Sequence, residues 1–211
     1  MTEVDDVQVT RRSYDALAEQ YEEMARNIMA ENPFDRAALS IFAELVHGAE
    51  SGPVVDLGCG PGRITAHLSG LGLDVSGIDL SPEMIRLARK AYPDLRFEEG
   101  AIESLPMGDG STAAVVAWYS IIHTPPQRVP AVLTELARTL RAGGYALFGF
   151  QSAVEPGVIE YQHRVATSYR WNIDSFADVL SRNGFRVIAQ LSREARPDER
   201  TPQAWVLAVK N

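Results

Sequence analysis

The stretch Val54-Val55-Asp56-Leu57-Gly58-Cys59-Gly60-Pro61-Gly62-Arg63 constrains this chain more than any other. The valine pair favours a strand, the glycines break it, and Ile64, Ala66, His67 and Leu68 resume at helical spacing. The order is strand, tight loop, helix. Glycines in such a loop accept positive φ and let the backbone approach a ligand that a β-carbon would push away.

The segments after the loop repeat this alternation. Leu73 to Asp79 reads as a second strand, and Ser81-Pro82-Glu83 starts a helix with Ser81 as N-cap and proline at the first helical position. That helix runs to Tyr92, where Pro93 stops it. Leu95 to Glu98 is a short third strand, and Ala113 to Tyr119 a fourth, apolar enough to be buried on both faces. A helix over Pro126 to Leu140 and a fifth strand over Tyr145 to Phe150 follow. Alternation without hairpins implies right-handed crossovers and a parallel sheet.

The flanks differ. Tyr14, Leu17, Ala18, Tyr21, Met24, Ala25 and Ile28 share one face of an amphipathic helix from Thr10 to about Ile28. A second helix, Phe34 to about His47, ends at Gly48. Ser51-Gly52-Pro53 then turns the chain into the first strand. Gln151 to Trp171 fits the alternation poorly, and a lid helix is one reading of it. Beyond it Asn172 or Asp174 caps a helix through Leu180, and strands follow over Phe185 to Leu191 and Ala204 to Val209.

Composition narrows the partners. The 211 residues suffice for one well-buried domain, and 20 Lys+Arg against 28 Asp+Glu give a formal charge of −8, which repels polyanions. No basic run offsets it, so no nucleic-acid partner is expected. Cys59 is the one cysteine, which excludes an intrachain disulfide and fits a reducing compartment. Met1 to Asp6 is acidic and lacks the features of a signal peptide, and no apolar run has the length of a membrane span. The expectation is a soluble, cytoplasmic protein with no membrane contact; oligomeric state is not legible. No His/Cys/Asp group has metal-ligand spacing, so no metal is expected.

The loop alone admits dinucleotides and other adenosyl ligands. Arg63 stands where the dinucleotide pattern wants a third glycine, and Asp56 would repel a pyrophosphate while suiting a cationic group. Asp79 ends the second strand where an acid can accept from ribose hydroxyls. Together, Val54 to Gly62, Asp79-Leu80-Ser81 with Met84, Ile102-Glu103-Ser104-Leu105-Pro106 and Leu140-Arg141-Ala142-Gly143-Gly144 resemble the class I S-adenosylmethionine-dependent methyltransferases, in that family's order. The resemblance runs over roughly Tyr14 to Lys210.

It implies a Rossmann-like α/β fold: a seven-stranded mixed sheet with its last strand antiparallel, helices on both faces and an N-terminal helical cap. The whole of 1–211 would be one methyltransferase domain, with the cap over 1–50, a cofactor-binding core over 51–150, a substrate lid over 151–173 and the C-terminal helix and strands over 174–211. S-adenosylmethionine would be held by the loop through Asp56, Gly58, Cys59, Gly60 and Arg63, and at its ribose by Asp79. Leu80 and Met84 would flank the adenine, Ala101, Ile102 and Glu103 would meet the ring, and Trp118, Tyr119 and Ser120 would line the inner side.

Two positions depart from the family pattern. Ala101 replaces an acid that binds the adenine amino group, and Ala113 replaces one at the start of the fourth strand. Tyr14 and Tyr21 match the family's Tyr-Asp-x-x-Ala-x-x-Tyr helix pattern, Tyr21 toward the cofactor and Tyr14 toward the substrate; packing alone is the competing account of both rings. His123 is either a general base or a lining residue. His163, Tyr169, Arg170 and Trp171 are the substrate-selecting candidates of the insertion, or aromatics packed on the domain. The implied activity is methyl transfer to oxygen or nitrogen of a small molecule. The alternatives are a non-catalytic adenosyl-binding module and, behind it, an NAD-dependent oxidoreductase.

Overall fold

A computed structural model describes residues 3–26, 28–49 and 52–211. Met1, Thr2 and Ser51, which belong to the acidic start and the turn expected before the first strand, lie outside the described residues. The helices are α1 (Glu3–Ala25), α2 (Ile28–Glu31), α3 (Pro33–Gly48), α4 (Arg63–Gly70), α5 (Pro82–Ala91), α6 (Val129–Thr139) and α7 (Ile173–Arg182). The strands are β1 (Val54–Leu57), β2 (Val75–Asp79), β3 (Arg96–Glu99), β4 (Thr112–Trp118), β5 (Leu140–Gln151), β6 (Val158–Gln162), β7 (Thr167–Trp171), β8 (Phe185–Arg193) and β9 (Gln203–Lys210).

Seven strands form one sheet in the order β3-β2-β1-β4-β5-β9-β8. The pairs β1–β2, β2–β3, β1–β4 and β4–β5 are parallel. β9 runs antiparallel to both β5 and β8, as the family resemblance implies. The sheet is sandwiched. Leu39, Phe42 and Val46 of α3 and Ile64 and Leu68 of α4 pack on Val54, Val116 and Leu147 from one side. On the other, Val132, Leu133 and Leu136 of α6 and Phe176 and Leu180 of α7 cover Val55, Val115 and Phe148. β4 is buried along its whole length because helices cover both its faces.

The boundaries depart from the sequence reading in several places; β5 begins at Leu140 rather than Tyr145. α1 begins a full two turns before Thr10, since Val7 continues the heptad of Tyr14 and Tyr21. α6 starts at Val129 rather than Pro126, because Pro130 sits comfortably in its first turn while Pro125 and Pro126 precede it in a turn. The insertion is no helix. β6 and β7 pair as an antiparallel hairpin, Val158 opposite Trp171 and Gln162 opposite Thr167. Its β-branched and aromatic residues suit a pleated surface, and the alternation Thr167, Tyr169, Trp171 is the period-two signal that marks it. Asn172 is the cap of α7, its Oδ1 accepting from the N–H groups of Asp174 and Ser175 at 3.1 and 3.2 Å.

Strand order reverses between β1 and β4. In open α/β sheets the crevice beyond the strands' C-terminal ends at such a reversal takes the ligand. Here that crevice lies between the loop after β1 and the residues after β4.

Candidate active site

A cleft open to solvent lies there. Gly58, Gly60, Asp79, Leu80, Met84, Ala101, Ile102, Glu103, Trp118 and Tyr119 line it. Helix α1 crosses it, presenting Val7, Thr10, Tyr14 and Tyr21, and His123 closes the far end. The backbone can be this close only because of glycine. Gly58 has φ of 67°, and a β-carbon there would lie 2.3 Å from Cβ of Ser120, joining the ends of β1 and β4 in a clash.

Asp79 is the best-oriented polar group of the cleft. The Gly60 N–H donates to its Oδ2 at 2.7 Å and the Ser81 N–H to its Oδ1 at 2.8 Å. Burial pushes its pKa up, while those backbone donors pull it back toward the ionised form. The carboxylate is therefore fixed in direction yet keeps lone pairs for further donors. Next to it the N-cap of α5 anchors α1: Ser81 Oγ donates to Asp15 Oδ1 at 2.6 Å and accepts from the Met84 N–H at 3.1 Å.

Three loop residues do not line the cleft. Asp56 is wholly buried behind the loop, its Oδ2 taking the Thr65 hydroxyl at 2.7 Å and so tying β1 to α4. Burial raises its pKa to about 6, and its Oδ1 has no hydrogen-bond partner. Cys59 points under the loop toward Gly77 and Phe97, where burial pushes its thiol pKa well up. Arg63 opens α4 with Nη1 buried and unpartnered.

At the far end three elements meet on one imidazole. Tyr14 Oη lies 2.8 Å from Nε2 of His123, and the two rings meet edge to face. His123 sits in a short 3-10 turn, Ile121–His123, after β4. Its Nδ1 lies 3.1 Å from the carbonyl oxygen of Thr167 and 3.0 Å from Ser168 Oγ, both on β7. Burial lowers the His123 pKa to about 4, so the ring is neutral at physiological pH. Tyr14 is pushed the other way, above the usual phenol range, also by burial.

The hairpin residues scatter. His163 is near, its ring centroid 5.6 Å from that of His123. Tyr169 lines a second cavity on the hairpin side of His123, together with Asp6, Val9, Thr10, Glu160, Ala166 and Thr167. Arg170 stacks 3.8 Å over the Tyr161 ring. Trp171 is a core residue, 5% exposed and packed on Phe176 at 5.7 Å, so as a substrate contact it is corrected: alternation on β7 turns it inward while Arg170 turns away.

Sequence reasoning missed Asp6, Val7, Thr10 and Arg128, all on the cleft wall. The heptad Val7, Tyr14, Tyr21 would have found part of α1's contribution. Arg128 could not be found that way: it pairs with Asp6 at 3.0 Å and Glu103 at 3.4 Å, residues remote in sequence. Tyr119 is the one non-glycine residue with positive φ among the described residues, at 56°, and its hydroxyl donates to Gln203 Oε1 of β9 at 2.8 Å.

The sheet order and the glycine loop at its reversal define a Rossmann-like α/β fold. Residues 54–144 match the family model described as a methyltransferase domain. With the motifs in that family's order, this stretch is similar to the class I S-adenosylmethionine-dependent methyltransferases. It is 34% identical over 102 residues to a demethylmenaquinone methyltransferase of Chlorobaculum parvum, covering 48% of this chain and 42% of that protein. It is 35% identical over 100 residues to a malonyl-[acyl-carrier protein] O-methyltransferase of Erwinia billingiae, covering 47% of this chain and 39% of that one. The chain thus aligns with about two fifths of the length of these relatives. Among solved structures, a 1,6-didemethyltoxoflavin-N1-methyltransferase of Burkholderia thailandensis, with 1,6-didemethyltoxoflavin and S-adenosylhomocysteine bound, superposes with a TM-score of 0.80. The superposition covers 100% of this chain and 91% of that one at 19% identity, a likeness of fold. Among the described residues no helix is long and apolar enough to cross a membrane.

Proposed function

We propose that this chain transfers the methyl group of S-adenosylmethionine to a hydroxyl or amine of a small molecule. The observation that carries the reading is Asp79: a carboxylate at the end of β2, aimed by two backbone donors, faces a cleft whose floor is a glycine loop. A carboxylate so held accepts from the two ribose hydroxyls of an adenosyl group. Asp56 and Arg63 lie behind the loop, so they support it from the β1–α4 side and do not line the cleft.

Leu80, Met84 and Ile102 give the adenine apolar walls, and Glu103 with Asp6 offers the acceptors that Ala101 does not. Trp118, Tyr119 and Tyr21 shape the inner side, and Cys59 supports the loop from beneath. S-adenosylmethionine supplies, when bound, the activated methyl group. The residues of the chain hold the two reactants in line and exclude water, which is worth up to about 7–11 kcal/mol in favourable intramolecular cases. Helix α1 acts as the cap and the β6–β7 hairpin as the acceptor-side lid, with His163, Tyr169 and Arg170 as its selecting residues. The net charge of −8 and the absence of a basic run support a small-molecule acceptor over a polyanion.

The test is calorimetry with S-adenosylmethionine, S-adenosylhomocysteine and NAD, followed by an assay for S-adenosylhomocysteine over a panel of phenols, catechols and amines. Binding of both adenosyl ligands with turnover of one acceptor is expected. Binding without turnover on any acceptor would favour a non-catalytic adenosyl-binding module, and preference for NAD would overturn the reading altogether.

A further inference from the structure

We infer that the group which takes the acceptor's proton is Tyr14, with His123 behind it as the proton sink: a two-residue relay joining α1 to the hairpin. The inference rests on the methyl-transfer reading above and replaces direct catalysis by His123.

The argument starts from hydrogen-bond valence. The Thr167 carbonyl can only accept, and it lies 3.1 Å from Nδ1 of His123. Ser168 Oγ, at 3.0 Å from the same nitrogen, has its own proton directed to the Ala166 carbonyl at 3.1 Å, so it too accepts. The proton of the neutral imidazole is therefore on Nδ1, and Nε2 carries the lone pair. That lone pair is already engaged by Tyr14 Oη at 2.8 Å, where the phenol must donate. His123 presents no free basic atom to the cleft. Tyr14 lines the cleft, and the phenol oxygen retains lone pairs to accept a proton from whatever stands beside it.

The step balances. The acceptor's lone pair forms the new bond to the methyl carbon, and the electron pair of the broken carbon–sulfur bond stays on sulfur. The acceptor's proton passes to Tyr14 Oη as the phenol proton passes to Nε2. The cleft loses a sulfonium charge and gains an imidazolium charge, so the buried site carries the same charge before and after, a condition that low-dielectric surroundings reward. The second cavity adjoins His123 from the hairpin side, with Thr10, Thr167 and Tyr169 in its wall, and offers the proton its way out.

Two arms test this. Histidine-labelled protein loaded with S-adenosylhomocysteine should show His123 by nitrogen NMR as the Nδ1–H tautomer; the Nε2–H tautomer overturns the relay whatever the acceptor. In the second arm phenol, catechol and aniline serve as probe acceptors. Tyr14→Phe keeps the ring and should lower kcat about 100-fold or more, in the range of lost acid–base catalysis, with affinity for S-adenosylhomocysteine unchanged. His123→Ala should cost a similar factor, and the double variant no more than either single one, because the two act as a unit. Multiplicative losses, or a Tyr14→Phe enzyme with normal kcat, overturn the relay while leaving methyl transfer intact. S-adenosylhomocysteine binding without turnover on any probe overturns both.

Discussion

The two ends of the cleft are built by opposite means. At the cosubstrate end, β1, its glycine loop, α4, β2 and the Ser81 cap follow one another in sequence, and the polar groups are mostly backbone N–H donors aimed at Asp79 from 19 and 2 residues away. At the His123 end, Tyr14 reaches His123 across 109 residues, and His123 reaches Thr167 across 44. The first end is a local structure that the fold holds rigid. The second is an assembly of three elements that meet on one ring. It teaches that one part of a cleft can be fixed by short-range geometry while another is left to contacts that loops and caps can change.

Breaking the local end should cost most. Gly58→Ala places a β-carbon 2.3 Å from Ser120 in a backbone conformation that disfavours side chains, and should lower unfolding stability in urea by about 3–5 kcal/mol. Asp79→Ala strands the Gly60 and Ser81 N–H groups and removes the acceptor facing the ligand. We expect calorimetry to find binding of S-adenosylhomocysteine weakened by about 3 kcal/mol, roughly 100-fold; unchanged affinity would take Asp79 out of the site.

The His123 end should respond to pH. His123 has a folded pKa of about 4, below the ordinary value of about 6.5, so the unfolded chain binds the proton first as pH falls. Its contribution to stability is complete above about pH 6.5 and fades toward pH 4. Between pH 7 and pH 5 the wild-type protein should lose about 2 kcal/mol relative to His123→Gln in matched urea titrations. Asp35 and Asp56, raised to about 6 by burial, act with the opposite sign in both proteins and cancel in the difference. The smallest effect belongs to the joint between the two ends. Asp15→Ala removes the acceptor of the Ser81 hydroxyl and should cost about 1 kcal/mol, read as faster amide exchange along α1 with β1 and β4 unaffected.

The same contrast explains what could be read from the sequence. Strand, glycine turn and helix restart are local events, so the loop, Asp79, Met84, Ile102 and the sheet itself were legible. The antiparallel strand β9 carries no sequence mark of its direction and came through the family resemblance. The hairpin was missed as such because its Gly157 and charged or polar positions masked a period-two alternation. The burial of Asp56 on β1 and of Cys59 between two loop glycines was not legible, because only packing against Thr65 or Phe97 decides which way each side chain turns. Asp6, Arg128 and Thr167 lay beyond reach, since their roles exist only once distant elements dock.

Cys59 is the chain's one thiol, and it is sealed beneath the glycine loop with its pKa raised by burial. The molecule thereby carries its own stopwatch. An alkylating reagent can mark that sulfur only when the loop lifts, so the rate of modification, free and with S-adenosylhomocysteine, times the loop's opening with no substitution made beforehand.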